Sequence, residues 1–136
     1  MTSAENLILE IFTPTGVVLT AEVVSCSAPG VEGAFQILKG HTDMVAALGI
    51  GMVKVMMPDN SIRELAISGG FLEVKGNKIS ILADSAELAG DIDSERAEKA
   101  ANRARKRLEE KKADIDFERA RAALHRALNR LKVSGS

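Results

Sequence analysis

Arginine is the side chain in this sequence with the clearest capacity for chemistry, and four copies carry the argument: Arg96, Arg103, Arg126 and Arg130. Arg96 and Arg103 stand seven positions apart, and Arg126 and Arg130 four apart, so on helices each pair shares a face. If the two helices fold antiparallel, the start of the first lies beside the end of the second. The four guanidiniums then converge on one end of a hairpin. A guanidinium fork binds phosphate bidentately, and an anion held between the helices would relieve the repulsion within an unpaired cluster. The bland reading is a set of solvated arginines on exposed helix faces. Spacing alone leaves both open.

Other chemistry is sparse. His41 and His125 are the two histidines, far apart and in segments of different texture, with no second His or paired carboxylate at metal-ligand spacing. His41, in Lys39-Gly40-His41-Thr42-Asp43, reads as a loop residue with a structural or surface role. No serine sits in a nucleophile elbow, and no glycine-rich loop carries the phosphate-binding lysine pattern. Gly49-Ile50-Gly51 lacks the third glycine and following helix of a dinucleotide fingerprint, while Gly69-Gly70 reads as a bulge or tight turn. The single cysteine, Cys26, excludes an internal disulfide and a cysteine zinc cluster. Within Val23-Val24-Ser25-Cys26 it reads as a small buried hydrophobe. The expectation is a non-enzyme with no catalytic residue and no metal site.

The elements that must hold these residues follow from the pattern along the chain. Up to about Asp84, short apolar segments alternate with turn residues: Leu7 to Phe12, Glu22 to Ala28, Ala34 to Leu38, Met44 to Leu48, Gly51 to Met57, Ser61 to Ile67, Gly70 to Val74 and Lys78 to Leu82. Thr13-Pro14-Thr15-Gly16, Pro29-Gly30, Pro58-Asp59-Asn60 and Lys75-Gly76-Asn77 punctuate them. Such spacing predicts an antiparallel β-sandwich or barrel. After Gly90 the texture changes: Asp91 to Val133 contains neither Gly nor Pro. Ala97, Ala100, Ala101, Ala104 and Leu108 recur at helical spacing, as do Phe117, Ala120, Leu124, Ala127, Leu128 and Leu131. Two amphipathic helices are expected, joined near Lys111 to Asp114. Their alanine stripes bury little area, so the hairpin is a weakly held unit. The fold class is α+β, with residues 1–86 a β-sandwich and residues 87–136 a two-helix antiparallel hairpin.

A short repeat marks both helix starts: Ile92-Asp93-Ser94-Glu95-Arg96-Ala97 and Ile115-Asp116-Phe117-Glu118-Arg119-Ala120. Asp93 and Asp116 are suited to capping free backbone N–H groups, with Glu95 and Glu118 at the positive end of each helix dipole. For the second copy, helix initiation is the reading adopted.

Charge divides the chain in the same place. Residues 1–90 carry five basic against ten acidic side chains, a net of −5, and residues 91–136 carry thirteen against nine, a net of +4. Two modules with different partners follow, the basic one suited to an acidic surface or a phosphate. Aromatics are 3% of the chain, with no Trp or Tyr, so stacking platforms for single-stranded nucleic acid are lacking. Acidic charges interleaved in the same helices also argue against nucleic-acid binding. Neither a signal peptide nor an apolar run of about 20 residues is visible, so the chain reads as soluble, with membrane association only through a partner.

Several stretches, taken in order, resemble the epsilon subunits of bacterial F-type ATP synthases. They are Gly33-Ala34-Phe35-Gln36-Ile37-Leu38-Lys39-Gly40-His41, Leu48-Gly49-Ile50-Gly51, Ser68-Gly69-Gly70-Phe71-Leu72-Glu73-Val74 and Ile81-Leu82-Ala83-Asp84-Ser85-Ala86-Glu87, followed by the Ala/Arg-rich hairpin. The resemblance implies a non-catalytic rotor subunit, peripheral on the cytoplasmic face of the cell membrane. Its sandwich would bind the gamma subunit and sit on the ring of c subunits, coupling proton or sodium flow to rotation. Its mobile helical domain would permit ATP hydrolysis when folded as a hairpin. Extended toward the beta subunits, and the alpha subunits beside them, the same helices would inhibit it.

The family's ATP-binding motif is Ile or Leu, Asp, two variable residues, Arg, Ala, and Ile92, Asp93, Arg96 and Ala97 match it. Glu87, Arg103, Arg126 and Arg130 match the further positions. By this resemblance Glu87, Asp93 and Ala97 serve the base and ribose side of a regulatory ATP while the arginines hold its phosphates, with the role of Mg²⁺ left open. Hydrolysis is not expected there. Asp43 stands where the family often has proline, Ala34 where many members carry glutamate, and Gln36 where glycine is usual. His41 remains the candidate for c-ring contact.

Overall fold

A computed structural model describes residues 6–110 and 116–135 of the chain. The chain divides into two compact units after Leu88.

The first unit contains β1 (Leu7–Thr13), β2 (Gly16–Val23), β3 (Ser25–Gly30), β4 (Gly33–Leu38), β5 (Met44–Met56), β6 (Ile62–Lys75), β7 (Lys78–Ala83) and β8 (Ala86–Leu88). The strand order is β2-β1-β7-β6-β5-β3-β4, with β8 on β6. Neighbours run antiparallel except β1 and β7, which are parallel. Burial alternates along the strands: Leu7, Leu9 and Ile11 on β1, Val53 and Val55 on β5, Leu72 and Val74 on β6, and Ile79, Ile81 and Ala83 on β7 all point inward. Each fully buried aliphatic side chain contributes about 1.5–3 kcal/mol, so an almost purely aliphatic core suffices.

Two strands turn this sheet into a sandwich. β5 and β6 have 13 and 14 residues, well beyond the usual strand, and each serves both layers. β6 pairs with β8 through Leu65, Ala66 and Ile67, then with β7 from Gly70 to Lys75. Its change of partner falls at Gly69 and Gly70, with φ of +104° and +133°. A Cβ on Gly70 would collide with the Leu82 carbonyl oxygen, and one on Gly69 would lie 2.9 Å from Asp84 Oδ2. Glycine therefore lets a single strand turn the corner.

Some boundaries differ from the sequence reading for this reason. Met44 to Leu48 and Gly51 to Met57 merge into β5, which runs through Gly49 and Gly51, and Ser61 to Ile67 merges with Gly70 to Val74 into β6, which turns at Gly69 and Gly70 without ending. The expected strand Glu22 to Ala28 is broken at Val24, where the chain passes from β2 to β3. The sandwich unit extends to Leu88 rather than Ala86, because β8 pairs with β6.

The second unit has a 3-10 turn (Ala89–Asp91), α1 (Ser94–Glu110) and α2 (Phe117–Ser134). α2 packs along α1 and reaches back to the 3-10 turn preceding it, so the helices form an antiparallel hairpin. Ala97, Ala101 and Ala104 are buried on α1, and Ala120, Ala127 and Val133 on α2. Paired alanines bring helix axes close but remove little apolar area from water. The expected junction at Lys111 to Asp114 lies outside the described residues.

Candidate functional site

In the helical unit both copies of the Ile-Asp-x-x-Arg-Ala repeat begin a helix in the same way. Asp93 Oδ1 accepts a hydrogen bond from the Arg96 backbone N–H at 3.1 Å, and Asp116 Oδ1 accepts one from the Arg119 N–H at 3.1 Å. Each aspartate caps a helix start, satisfying a donor that would otherwise lack an intrahelical partner. The Ala97 and Ala120 N–H groups donate to the carbonyls of Asp93 and Asp116, both at 3.0 Å. Ala97 is fully buried, so its side chain contributes close packing and its backbone N–H is already committed.

The arginines occupy a different part of each helix. At about 100° per residue, Arg96 and Arg103 lie roughly 100–120° around α1 from Ala97, and Arg126 and Arg130 roughly 80–120° around α2 from Ala120, in the same rotational sense. In an antiparallel pair, equal offsets fall on the same side of the seam, so the four share one edge of the hairpin. Arg96 lies in the first turn of α1 and Arg130 in the last turns of α2, which the antiparallel arrangement brings to one end. Arg96, Arg103 and Arg126 are exposed, while Arg130 is half-buried with its Nε inside the fold. Among the described residues, no ion pair or side-chain hydrogen bond engages Arg96, Arg103 or Arg126. Nearby acids are otherwise occupied: Lys99 Nζ lies 3.5 Å from Glu95, and Arg121 lies 3.2 Å from Glu118. Glu87 is not in this unit. It is half-buried on β8, opposite Ala66 of β6 in the sandwich.

The opposite edge of α2 is apolar. Phe117 and Leu128 are 42% and 39% exposed, with Leu124 and Leu131 half-buried between that edge and the alanine seam.

On the sandwich, the outward face of β5, β6, β7, β1 and β2 carries a row that the sequence reading missed. Ala47 is opposite Phe71, Phe71 opposite Leu82, Leu82 opposite Phe12, and Phe12 opposite Val17. Val17, Phe71 and Leu82 are 67%, 60% and 53% exposed, and Phe12 is half-buried. The adjoining row, Val45, Glu73, Ser80, Glu10 and Thr20, supplies a carboxylate margin, with Glu10 3.5 Å from Lys78. Five strands thus present one continuous apolar ridge to solvent. Its signal in the sequence was adjacent apolar residues, as in Ile11-Phe12, Phe71-Leu72 and Ile81-Leu82, where a strand buried on one face should alternate.

His41 lies in the loop between β4 and β5, half-buried. Its backbone N–H donates to Leu38 O at 3.1 Å, and its Nδ1 lies 2.7 Å from the Thr42 carbonyl oxygen. Gly40 carries the positive φ of +79° that the turn requires. Cys26 is inside the core, where burial pushes its thiol up to about 12 and leaves it protonated and inert. Among the described residues no group of three or more His, Cys, Asp or Glu is arranged to hold a metal ion.

Two family models match this architecture: the β-sandwich domain of the ATP synthase delta/epsilon chain over residues 6–89, and its long α-helix domain over residues 91–135. Among curated proteins, the ATP synthase epsilon chain of Carboxydothermus hydrogenoformans is 46% identical over 105 residues, 77% of this chain and 78% of that one. The epsilon chain of Desulfatibacillum aliphaticivorans is 42% identical over 108 residues, 79% and 77% of the two chains. A chain in the cryo-EM structure of the Euglena gracilis mitochondrial ATP synthase OSCP/F1/c-ring shares the fold with a TM-score of 0.84 at 22% identity. It is matched over 100% of this chain and 85% of that one. A chain of the Tetrahymena thermophila mitochondrial ATP synthase central stalk and c-ring gives 0.60 at 14% identity, over 99% and 97%. A β-sandwich domain followed by a long α-helix domain is the domain pair of the delta/epsilon chains. The chain belongs to the bacterial epsilon subunits of ATP synthase.

Proposed function

We propose that this protein is a rotor component of the central stalk, coupling ion translocation to ATP synthesis and restraining ATP hydrolysis through its helical unit. The observation that carries the reading is the apolar ridge of Phe12, Val17, Ala47, Phe71 and Leu82, spanning five strands and bordered by Glu10 and Glu73. Exposed contiguous apolar surface on an otherwise well-packed sandwich marks an interaction site. The partner is the gamma subunit, with the ring of c subunits meeting the same unit at the His41 loop. Through these contacts the protein is peripheral on the cytoplasmic face of the membrane. Among the described residues no helix is long and apolar enough to cross it.

The helical unit is the regulatory part. Its cationic surface suits an acidic segment of the beta subunits when the helices extend, and a nucleotide when they fold together. Three exposed guanidiniums without described partners, beside Arg130 on the same edge, favour an ATP phosphate chain. ATP acts by linkage: it binds the hairpin and so holds the non-inhibitory form. Among the described residues of the hairpin none is placed to activate water, so ATP is a ligand and not a substrate.

The test is reconstitution into an ATP synthase depleted of its epsilon chain. The protein should join the stalk, and deletion of residues 89–136 should change the ATPase activity of the assembled head. No change in either assembly or activity would reject the proposal.

A further inference from the structure

The loop that carries His41 is tied by a side chain to the β6–β7 turn, a segment remote in sequence that strand pairing brings alongside. Asp43 Oδ1 accepts a hydrogen bond from the Gly76 backbone N–H at 2.9 Å, across 33 residues of sequence. The bonds His41 makes are local, reaching Leu38 and Thr42. They shape the loop, whose far end is held where Met44 pairs with Val74 of β6, one residue past Asp43. The receiving end is firm. Gly76 holds a φ of +60° in the turn between β6 and β7, a conformation glycine adopts without strain. The next residue, Asn77, accepts a hydrogen bond from the Ile8 N–H at 2.8 Å, joining that turn to β1.

The geometry points to Asp43 as a positioning residue: its carboxylate ties the His41 loop to the β6–β7 turn and sets where His41 stands at that end of the sandwich. The structural part stands on the hydrogen bond alone, while its consequence for function rests on the reading of the His41 loop as a rotor contact. A carboxylate on a backbone N–H is a charge-assisted bond, stronger than a neutral one. A proline can stiffen a loop through its own ring, but its side chain offers no acceptor to a neighbouring turn. The clamp therefore depends on an acceptor at position 43, and asparagine, which keeps a carbonyl oxygen, preserves it.

The experiment compares the full-length protein with Asp43→Ala and Asp43→Asn. Amide hydrogen exchange is read at Gly76, at His41 and at core Ile81, and ATP-driven ion pumping is measured after reconstitution. Asp43→Ala should speed exchange at Gly76 and His41 by roughly threefold to tenfold, leave Ile81 unchanged, and lower pumping per ATP hydrolysed. Asp43→Asn should restore all of these toward wild type. Unchanged exchange at Gly76 in Asp43→Ala overturns the clamp. Faster exchange with wild-type pumping, while His41→Ala is impaired, overturns the positioning role. If His41→Ala itself pumps normally, the rotor-contact reading of the loop fails, and the exchange data still decide the clamp.

Discussion

Phe71 and Leu82 stand directly opposite each other across β6 and β7 with both side chains turned to solvent, while their neighbours Leu72 and Ile81 are opposite each other in the core. The same two strands therefore build the interior with one face and an apolar ridge with the other. A ridge of this kind adds little to the stability of the lone chain beyond its cross-strand pairs. Its apolar area leaves water only when something docks.

Phe71→Ser should therefore separate folding from association. Surface changes of this sort alter stability by about 0.5 kcal/mol or less. At the centre of an interface, a lost aromatic anchor costs about 2 kcal/mol or more, roughly thirtyfold in affinity. Thermal unfolding of the isolated protein and titration against the gamma subunit give the two numbers. A large loss of stability with unchanged affinity would show that the ridge is part of the fold and not of an interface.

ATP binding to the hairpin should fall when its arginine edge is cut. Arg103→Ala and Arg126→Ala should each weaken binding by about 1.5–3 kcal/mol in calorimetry. Because both would contact one phosphate chain, the double variant should lose less than the sum. Equal affinity in all variants would leave the arginines as a solvated face.

The repeated aspartates supply an internal control. Asp93→Ala and Asp116→Ala remove equivalent caps, so each should destabilise its helix by about 1 kcal/mol. If Asp93 also serves a nucleotide, Asp93→Ala should weaken ATP binding well beyond Asp116→Ala. Equal losses would assign both residues to capping alone.

Cys26 makes the fold sensitive to alkali. Its thiol titrates at 9.0 in an ordinary setting and at about 12 in the core. A raised value in the folded state means that the stability tied to the protonated thiol is intact below pH 9 and is lost progressively as pH climbs toward 12. Denaturant midpoints measured from pH 8 to pH 11 should decline, with Cys26→Ala declining less. For the same reason a thiol reagent at pH 8 should modify Cys26 only as fast as the protein opens. Immediate modification of folded protein would contradict the burial.

The division into sandwich and hairpin was legible because two periodicities change abruptly at Gly90 and because the charge changes with them. The capping role of Asp116 was legible from its place before an apolar stripe. Strand boundaries were harder: Gly49, Gly51, Gly69 and Gly70 look like breaks, yet all four lie inside the continuous strands β5 and β6. β8 escaped because Ala86, Glu87 and Leu88 are too few to show alternation, and only pairing with β6 makes them a strand. That pairing also places Glu87 in the sandwich, whereas its expected companions Asp93, Arg96, Ala97, Arg103, Arg126 and Arg130 belong to the hairpin. The ridge was missed because its signal, apolar residues on both faces of a strand, also reads simply as core. Only the register shows that Phe12, Val17, Ala47, Phe71 and Leu82 form one line.

The most direct test of the rotor assignment is ATP-driven ion pumping by vesicles carrying an ATP synthase stripped of its epsilon chain and supplied with this protein. The wild-type protein should restore pumping, and the Phe71→Ser, Leu82→Ser variant, folded but unable to dock, should not. Full restoration by that variant, or none by the wild type, would contradict the account.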